Sequence, residues 1–385
     1  MPIDLFANLG RSDSELHPQF LNLRDSPGYA PARDILRSLQ DEVEDPDGNF
    51  VEQFQTTGFD ARTFELFLNA LFLAEGYTVD RSHQRPDFIL TKDNLTIAVE
   101  ATTANPATGS GIKAYDPDVE NQPHGEREAY LRDAVPIRLG SPLFSKLKKE
   151  YWKLPQVLGR PFVLAIEDFH GPGSLASSAS PLMRYLYGSE QHWYHDGDGR
   201  LLISEEPIDE HRFGAKRIPS GFFQQPGAEN ISAVLFANTG TIATFNRIAH
   251  QTYPIYPLRM IRIGTCYRED PDAVVPLEFA YEVGRAEHGP ETWNESTVLM
   301  HNPGALNPIP RRWFGTATEQ YVAEDGKVMT THYRAFAPFA SLTTVLPGTT
   351  PDTKVVEFLT EFKARFAKDL LKMDAAMRQR ARRPD

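Results

Sequence analysis

Two short apolar runs constrain this chain more than any other feature of its sequence. Residues 161–169 read PFVLAIEDF and residues 231–236 read ISAVLF. Each has strand length, and neither alternates polar with apolar residues. Such a strand is buried on both faces and belongs at the centre of a sheet covered by helices. The residues before the first run complete the pattern. Asp60–Glu75 (DARTFELFLNALFLAE) carries Phe64, Phe67, Leu68, Leu71 and Phe72 at helical spacing, and Gly76 stands where a helix-ending glycine belongs. Short strands are expected at 77–81, 87–90 and 96–102, the last two joined by a hairpin turn at 91–95 (TKDNL). Ser141 is the expected cap of a second helix reaching about Leu158, with Phe144, Leu147, Tyr151 and Leu154 on one face. Helix, three strands, helix, strand describes an α/β fold with a central mixed sheet flanked by helices.

A chain of 385 residues has room for two or three such units. Residues 1–57 hold 11 acidic and 4 basic side chains and many Pro, Asp and Asn, with one helix expected near 32–43. They read as an acidic, loosely packed arm or cap. Residues 58–250 form the α/β domain, with an insertion at about 171–230. A turn at Asn238–Gly240 and a short strand at 241–245 should close it. Residues 251–385 are rich in Pro and aromatics. They predict a small β-rich subdomain ending in an amphipathic helix, Val355–Met377.

Composition excludes several classes. With 41% hydrophobic and 24% charged residues the chain is globular, not disordered. Cys266 is its one cysteine, so neither an intrachain disulfide nor a cysteine zinc site can form, and a cytoplasmic location is expected. The first residues lack a basic stretch followed by an apolar one, so no secretory signal is expected. No apolar run approaches the ~18 residues of a membrane span. The net charge of −12 argues at first against a nucleic-acid partner. The first 57 residues carry −7 of it, however, while 141–160 has five basic residues against one acidic and 363–385 has eight against three. A basic surface remains available.

Three carboxylates stand out inside the α/β unit. Glu65 lies on the first helix at the edge of its apolar stripe, Asp87 opens a strand after Pro86, and Glu100 lies near the end of the next strand. Alternate strand residues share a face, so Glu100 and Thr102 point one way while Val99 and Ala101 point the other. A hairpin between Asp87 and Glu100 brings both carboxylates to one end of the sheet. Mg²⁺ takes oxygen ligands, commonly one or two carboxylates with water and phosphate oxygens. Asp87, Glu100 and Glu65 are therefore the candidate ligands of Mg²⁺ or Mn²⁺.

These residues resemble the PD-(D/E)xK nuclease superfamily, the restriction-endonuclease-like fold. The resemblance rests on Glu65, on Pro86-Asp87 in RPDFIL, on Glu100-Ala101-Thr102 in AVEATT, on the twelve residues between Asp87 and Glu100, and on the element order. It covers about residues 58–170. It implies metal-dependent hydrolysis of a phosphodiester, in DNA ahead of RNA, with homodimerisation open. One position departs from the pattern. The family's lysine, two residues after the glutamate, is Thr102 here. Either another residue takes over that role, or the fold acts without turnover as a nucleic-acid-binding or protein-interaction module. Lys148, near the edge of the second helix's apolar stripe, is the first candidate stand-in, with Lys113, His83 and Gln84 behind it. Lys146, Lys149 and Lys153 are expected on that helix's outer face.

Other signals carry less. His192–Gly199 (HWYHDGDG) lacks the later ligands of a calcium loop and reads as a hairpin turn before a strand at 201–204. Gly109–Lys113 lacks phosphate-loop spacing, no G-x-S-x-G elbow occurs, and Cys266 reads as a structural thiol.

Overall fold

The computed structural model describes residues 3–43, 45, 47–106, 129–171, 173–285 and 289–381. The chain opens with α1 (Pro18–Asp25), α2 (Ala30–Leu39), α3 (Phe50–Gln55) and the longer α4 (Phe59–Ala74). Strands β1 (Thr78–Asp80), β2 (Phe88–Lys92) and β3 (Leu95–Ala104) follow. Asp93 and Asn94 turn β2 into β3 with φ of 51° and 62°. That left-handed pair is what a two-residue hairpin demands and what Asp and Asn tolerate. A π-helical turn at Tyr130–Ala134 leads into α5 (Val135–Leu147), and β4 (Phe162–Asp168) returns parallel to β3.

After α6 (Ser180–Tyr187), the insertion folds as two hairpins, β5 (Ser189–His195) with β6 (Leu201–Pro207), and β7 (Glu210–Phe213) with β8 (Lys216–Pro219). The core resumes with β9 (Ala233–Ala237) and α7 (Ile242–Thr252). The last third holds β10 (Leu258–Cys266), β11 (Leu277–Glu282), β12 (Val298–His301), β13 (Thr318–Val322), β14 (Val328–Thr331), β15 (Pro338–Pro347) and the terminal helix α8 (Asp352–Ala381).

A mixed sheet of 8 strands runs in the order β1-β2-β3-β4-β9-β12-β13-β14. The two apolar runs are its central strands β4 and β9, buried at every position. Helices cover both faces. On one face α4 packs Phe64, Phe67 and Leu71 against Val99, Ala101, Ala165 and Leu235. On the other, α5 packs Leu139, Leu143 and Leu147 against Ala98, Leu164 and Ile166. The mixed α/β sheet expected from sequence is therefore present. Among the described residues no helix is long and apolar enough to cross a membrane.

Four expectations change. Residues 1–57 are not a loose arm: Leu5, Phe20, Leu23, Leu36, Phe50 and Phe54 are buried in the same core as α4. Asp25, Asp34 and Glu52 lie on the exposed sides of short helices whose inner faces are apolar. Residues 241–245 are not a strand but the start of α7, where Ile242, Phe245, Ile248 and Ala249 are buried at helical spacing. Residues 251–385 do not form a separate β unit. β12, β13 and β14 extend the main sheet, while β11, β10 and β15 form a second sheet of 3 strands. Finally, α5 begins before Ser141, whose hydroxyl donates to the Ile137 carbonyl inside the helix instead of capping it. Gly140 is needed there, because a Cβ would stand 2.6 Å from the Tyr185 ring.

Candidate active site

The strand pair behaves as a unit. The Arg85–Pro86 peptide is cis, and Asp87 follows it at the entry to β2. The backbone N–H of Asp87 donates to Glu100 Oε2 at 3.3 Å, and the N–H of Ala101 donates to Asp87 Oδ2 at 2.7 Å. The antiparallel register Phe88↔Val99 sets this crossing, so the hairpin itself brings the two carboxylates together. Glu100 is 1% exposed and Asp87 is half-buried.

Glu65 sits apart from that pair. It is buried, and α4 is buried continuously from Thr63 to Phe72, so its position is no solvent edge. Its carboxylate accepts from Arg62 Nη1 at 2.9 and 3.0 Å and from Arg81 Nη2 at 2.9 Å. Glu100 has the sequence parity of Ala98, which faces α5, whereas α4 packs on the opposite face. Glu65 and Glu100 thus approach Asp87 from the two sides of the sheet, and Asp87 acts electrostatically on both.

The lysine that reaches the site is Lys146, not Lys148. Lys146 Nζ donates to Glu100 Oε1 at 2.5 Å. Lys148 lies past the end of α5, with Nζ 4.4 Å from the centre of the Phe144 ring. The difference is one of helix phase. The inward stripe is Val135, Leu139, Leu143 and Leu147, and Lys146, seven residues after Leu139, shares that side. The stripe assumed from sequence began at Phe144, which is 37% exposed. Thr102 is half-buried on the Glu100 face and pairs with Ile166 of β4. Gln84 donates to Asp47 Oδ1 at 2.9 Å, and His83 lies 3.8 Å from Asp80. Lys113 lies outside the described residues. Sequence reasoning also passed over Arg62, Arg81 and Arg85; only their nearness to the three carboxylates in the chain hinted at them.

Burial and the neighbouring Asp87 charge push the Glu100 carboxyl up to about 7, against the pull of Lys146 and Arg85. Burial and Asp87 do the same to Glu65, which rises to about 7 although Arg62 and Arg81 oppose the shift. Two carboxylates crowded together and starved of water repel each other. A hard dication relieves that repulsion, and the donor set of Asp87 and Glu100 suits Mg²⁺ or Mn²⁺. Among the described residues no three His, Cys, Asp or Glu side chains are grouped to hold a metal ion.

The arrangement sets two crossed carboxylates and a cationic amine side by side at the end of the β2–β3 hairpin. Compared with known proteins, the chain matches no family model, no curated protein and no solved structure.

Proposed function

We propose that the protein is a metal-dependent nuclease of the PD-(D/E)xK kind, hydrolysing phosphodiester bonds in DNA ahead of RNA. The observation that carries the reading is the contact of Lys146 with Glu100 beside Asp87. It supports transfer of the motif lysine's role from the strand position now held by Thr102 to helix α5. The order α4, β1, β2, β3, α5, β4 supports the restriction-endonuclease-like core.

In this reading Asp87 and Glu100 hold Mg²⁺ or Mn²⁺. Bound there, the ion would neutralise charge on the phosphate and make water more acidic. Lys146 Nζ, fixed by Glu100, can donate to a water approaching phosphorus and offset the charge that develops on the phosphate oxygens. Thr102 adds an uncharged hydroxyl on the same face. Glu65 acts by position, keeping Arg62 and Arg81 beside Asp87. Its full commitment to those two arginines, together with the lack of charge at Thr102, favours the second reading, a nuclease-like fold that binds nucleic acid or protein without turnover.

The deciding experiment is cleavage of single- and double-stranded DNA and RNA with Mg²⁺, Mn²⁺ or EDTA, for the wild type, Asp87→Ala and Glu100→Ala. Metal-dependent cleavage lost in both variants is expected. Activity that survives both substitutions overturns the site, and no activity on any substrate leaves the binding reading.

A further inference from the structure

The second sheet leaves a long strand edge unpartnered. Its order is β11-β10-β15, so β10 is paired on both sides and β15 on one. Which backbone groups of β15 face outward follows from the hydrogen bonds of its neighbour. The Val283 N–H donates to the Met260 carbonyl, so even-numbered residues of β10 point toward β11 and odd-numbered ones toward β15. The Gly348 N–H donates to the Pro257 carbonyl, which sets the same parity on the β15 side. Residues 340, 342, 344 and 346 therefore serve the ladder with β10, while Phe339, Ser341, Thr343 and Val345 turn their N–H and C=O groups away from it. The Phe339 carbonyl agrees, since it accepts from Asn238 Nδ2 at 2.8 Å. Among the described residues the outward backbone groups of Ser341, Thr343 and Val345 meet no partner.

Edge strands usually carry a guard against pairing with another chain: shortness, a charge, a proline or a cover. The other sheet edges have one. β1 is 3 residues long. β14 has 4, and Glu205 accepts from its Val328 N–H at 3.1 Å. β11 carries Glu278 and Glu282 and lies against α8. β15 has 10 residues, reads PFASLTTVLP and holds no charge, and its prolines stand only at its two ends. Thr343 turns its hydroxyl to Arg247 of α7, so Leu342 lies on the opposite face, where it is 60% exposed.

We propose that this edge pairs with the same edge of a second copy of the chain, antiparallel about a two-fold axis through Thr343. The strand is complementary to itself in that register. Thr343 of one copy exchanges two hydrogen bonds with Thr343 of the other, and Ser341 of each does the same with Val345 of the other. At the ends Phe339 stands opposite Pro347. The Phe339 carbonyl is already bound to Asn238, and Pro347 has no N–H to offer it, so the two gaps in the ladder fall together. Between the bonded pairs Leu342 of each copy packs on Thr344 of the other, and no charge on the strand opposes the contact. A strand pair alone covers less than the ~1,600 Å² of a standard interface, so the dimer is weak and depends on concentration. This contact is independent of the nuclease reading.

The test is sedimentation of the full chain across a range of concentrations, with residue-resolved hydrogen exchange. A reversible monomer–dimer equilibrium is expected. The amides of Ser341, Thr343 and Val345 should gain protection as concentration rises, while those of Leu342 and Thr344 are protected throughout. Leu342→Lys, at an exposed position, sets like charges beside the axis, and Ser341→Pro removes an N–H that the intramolecular ladder does not use. Each should weaken association about tenfold or more and leave the melting temperature of the monomer nearly unchanged. A chain that stays monomeric up to its solubility limit overturns the proposal. So does a dimer that both folded variants form as tightly as the wild type, or one in which the odd-numbered amides gain no protection. Full protection of those amides at every concentration would place an intramolecular cover on the edge and overturn it as well.

Discussion

Lys146 Nζ lies 2.5 Å from Glu100 Oε1, joining the middle of a buried strand to the last turn of the helix that covers it. Lys146 is 25% exposed and Glu100 is 1% exposed, so the contact is dry at one end and wet at the other. Lys146→Ala should therefore lower cleavage by about 10²-fold or more, the loss typical of removing one positioned donor from an active site. Its stability cost should stay near ~1–2 kcal/mol, below that of breaking a fully buried pair, because Glu100 can take up a proton. Lys148→Ala, whose amine rests on Phe144, should change neither property. Paired rate and melting measurements on the two variants decide it, and equal losses would return the two lysines to equal standing.

Stability should fall as pH rises from about 5 to 8. The Glu65 and Glu100 carboxyls titrate near 7 in the folded chain, against an ordinary value of 4.5. Between those values the folded state binds more protons than the unfolded one, so unfolding becomes easier with rising pH. The stabilising contribution is complete below about 4.5 and is lost as pH passes through 7. Glu100→Gln should flatten the dependence, which thermal melts across that range would reveal. A wild type that gains stability toward pH 8 without metal would contradict the crowded-carboxylate geometry.

Divalent cations should reverse that loss. At pH 8 the Glu100 carboxyl, which titrates near 7, has lost its proton, and Mg²⁺ or Mn²⁺ binding only the folded chain adds about 2.7 kcal/mol at one hundred times its dissociation constant. Melting should therefore shift upward by several degrees with Mn²⁺, and Asp87→Asn or Glu100→Gln should abolish the shift. Glu65→Gln should keep most of it, since Glu65 is bound to Arg62 and Arg81 and stands apart from the pair. A shift lost only in Glu65→Gln would move the cation to the other side of the sheet.

How much of this was legible from sequence follows from the range of the interactions. The central strands β4 and β9 announce themselves because burial on both faces leaves an unbroken apolar run. The β2–β3 hairpin does so because Asp93 and Asn94 are the residues a left-handed turn accepts. The pairing of Asp87 with Glu100 follows from hairpin register and needs no long-range information. Lys146 was missed because its role depends on helix phase, and the phase of α5 is fixed by residues 135–139, upstream of the apparent cap at Ser141. Arg81 was missed because a lone arginine after a three-residue edge strand looks solvated until α3 and α4 close over it. The first 57 residues misled through composition: charge on the outside of short helices hides apolar residues that bury one at a time.

Those N-terminal residues supply the last prediction. Phe20 and Phe54 are at most 1% exposed, and their rings meet edge to face at 5.8 Å, with Phe54 5.3 Å from Phe59 of α4. Asn246 of α7 donates to the Gly28 carbonyl and accepts from the Ala32 N–H, tying the same segment to the far side of the core. Phe54→Ala should cost about 3–5 kcal/mol, the usual loss for emptying a buried aromatic position. Deleting residues 1–57 should leave an aggregated or unfolded chain and should not free a hidden nucleic-acid surface. Denaturant melts of the point variant and circular dichroism of the truncated chain test both. A truncated protein that folds and binds DNA more tightly would restore the arm as a detachable cover, and with it the expectation drawn from its charge.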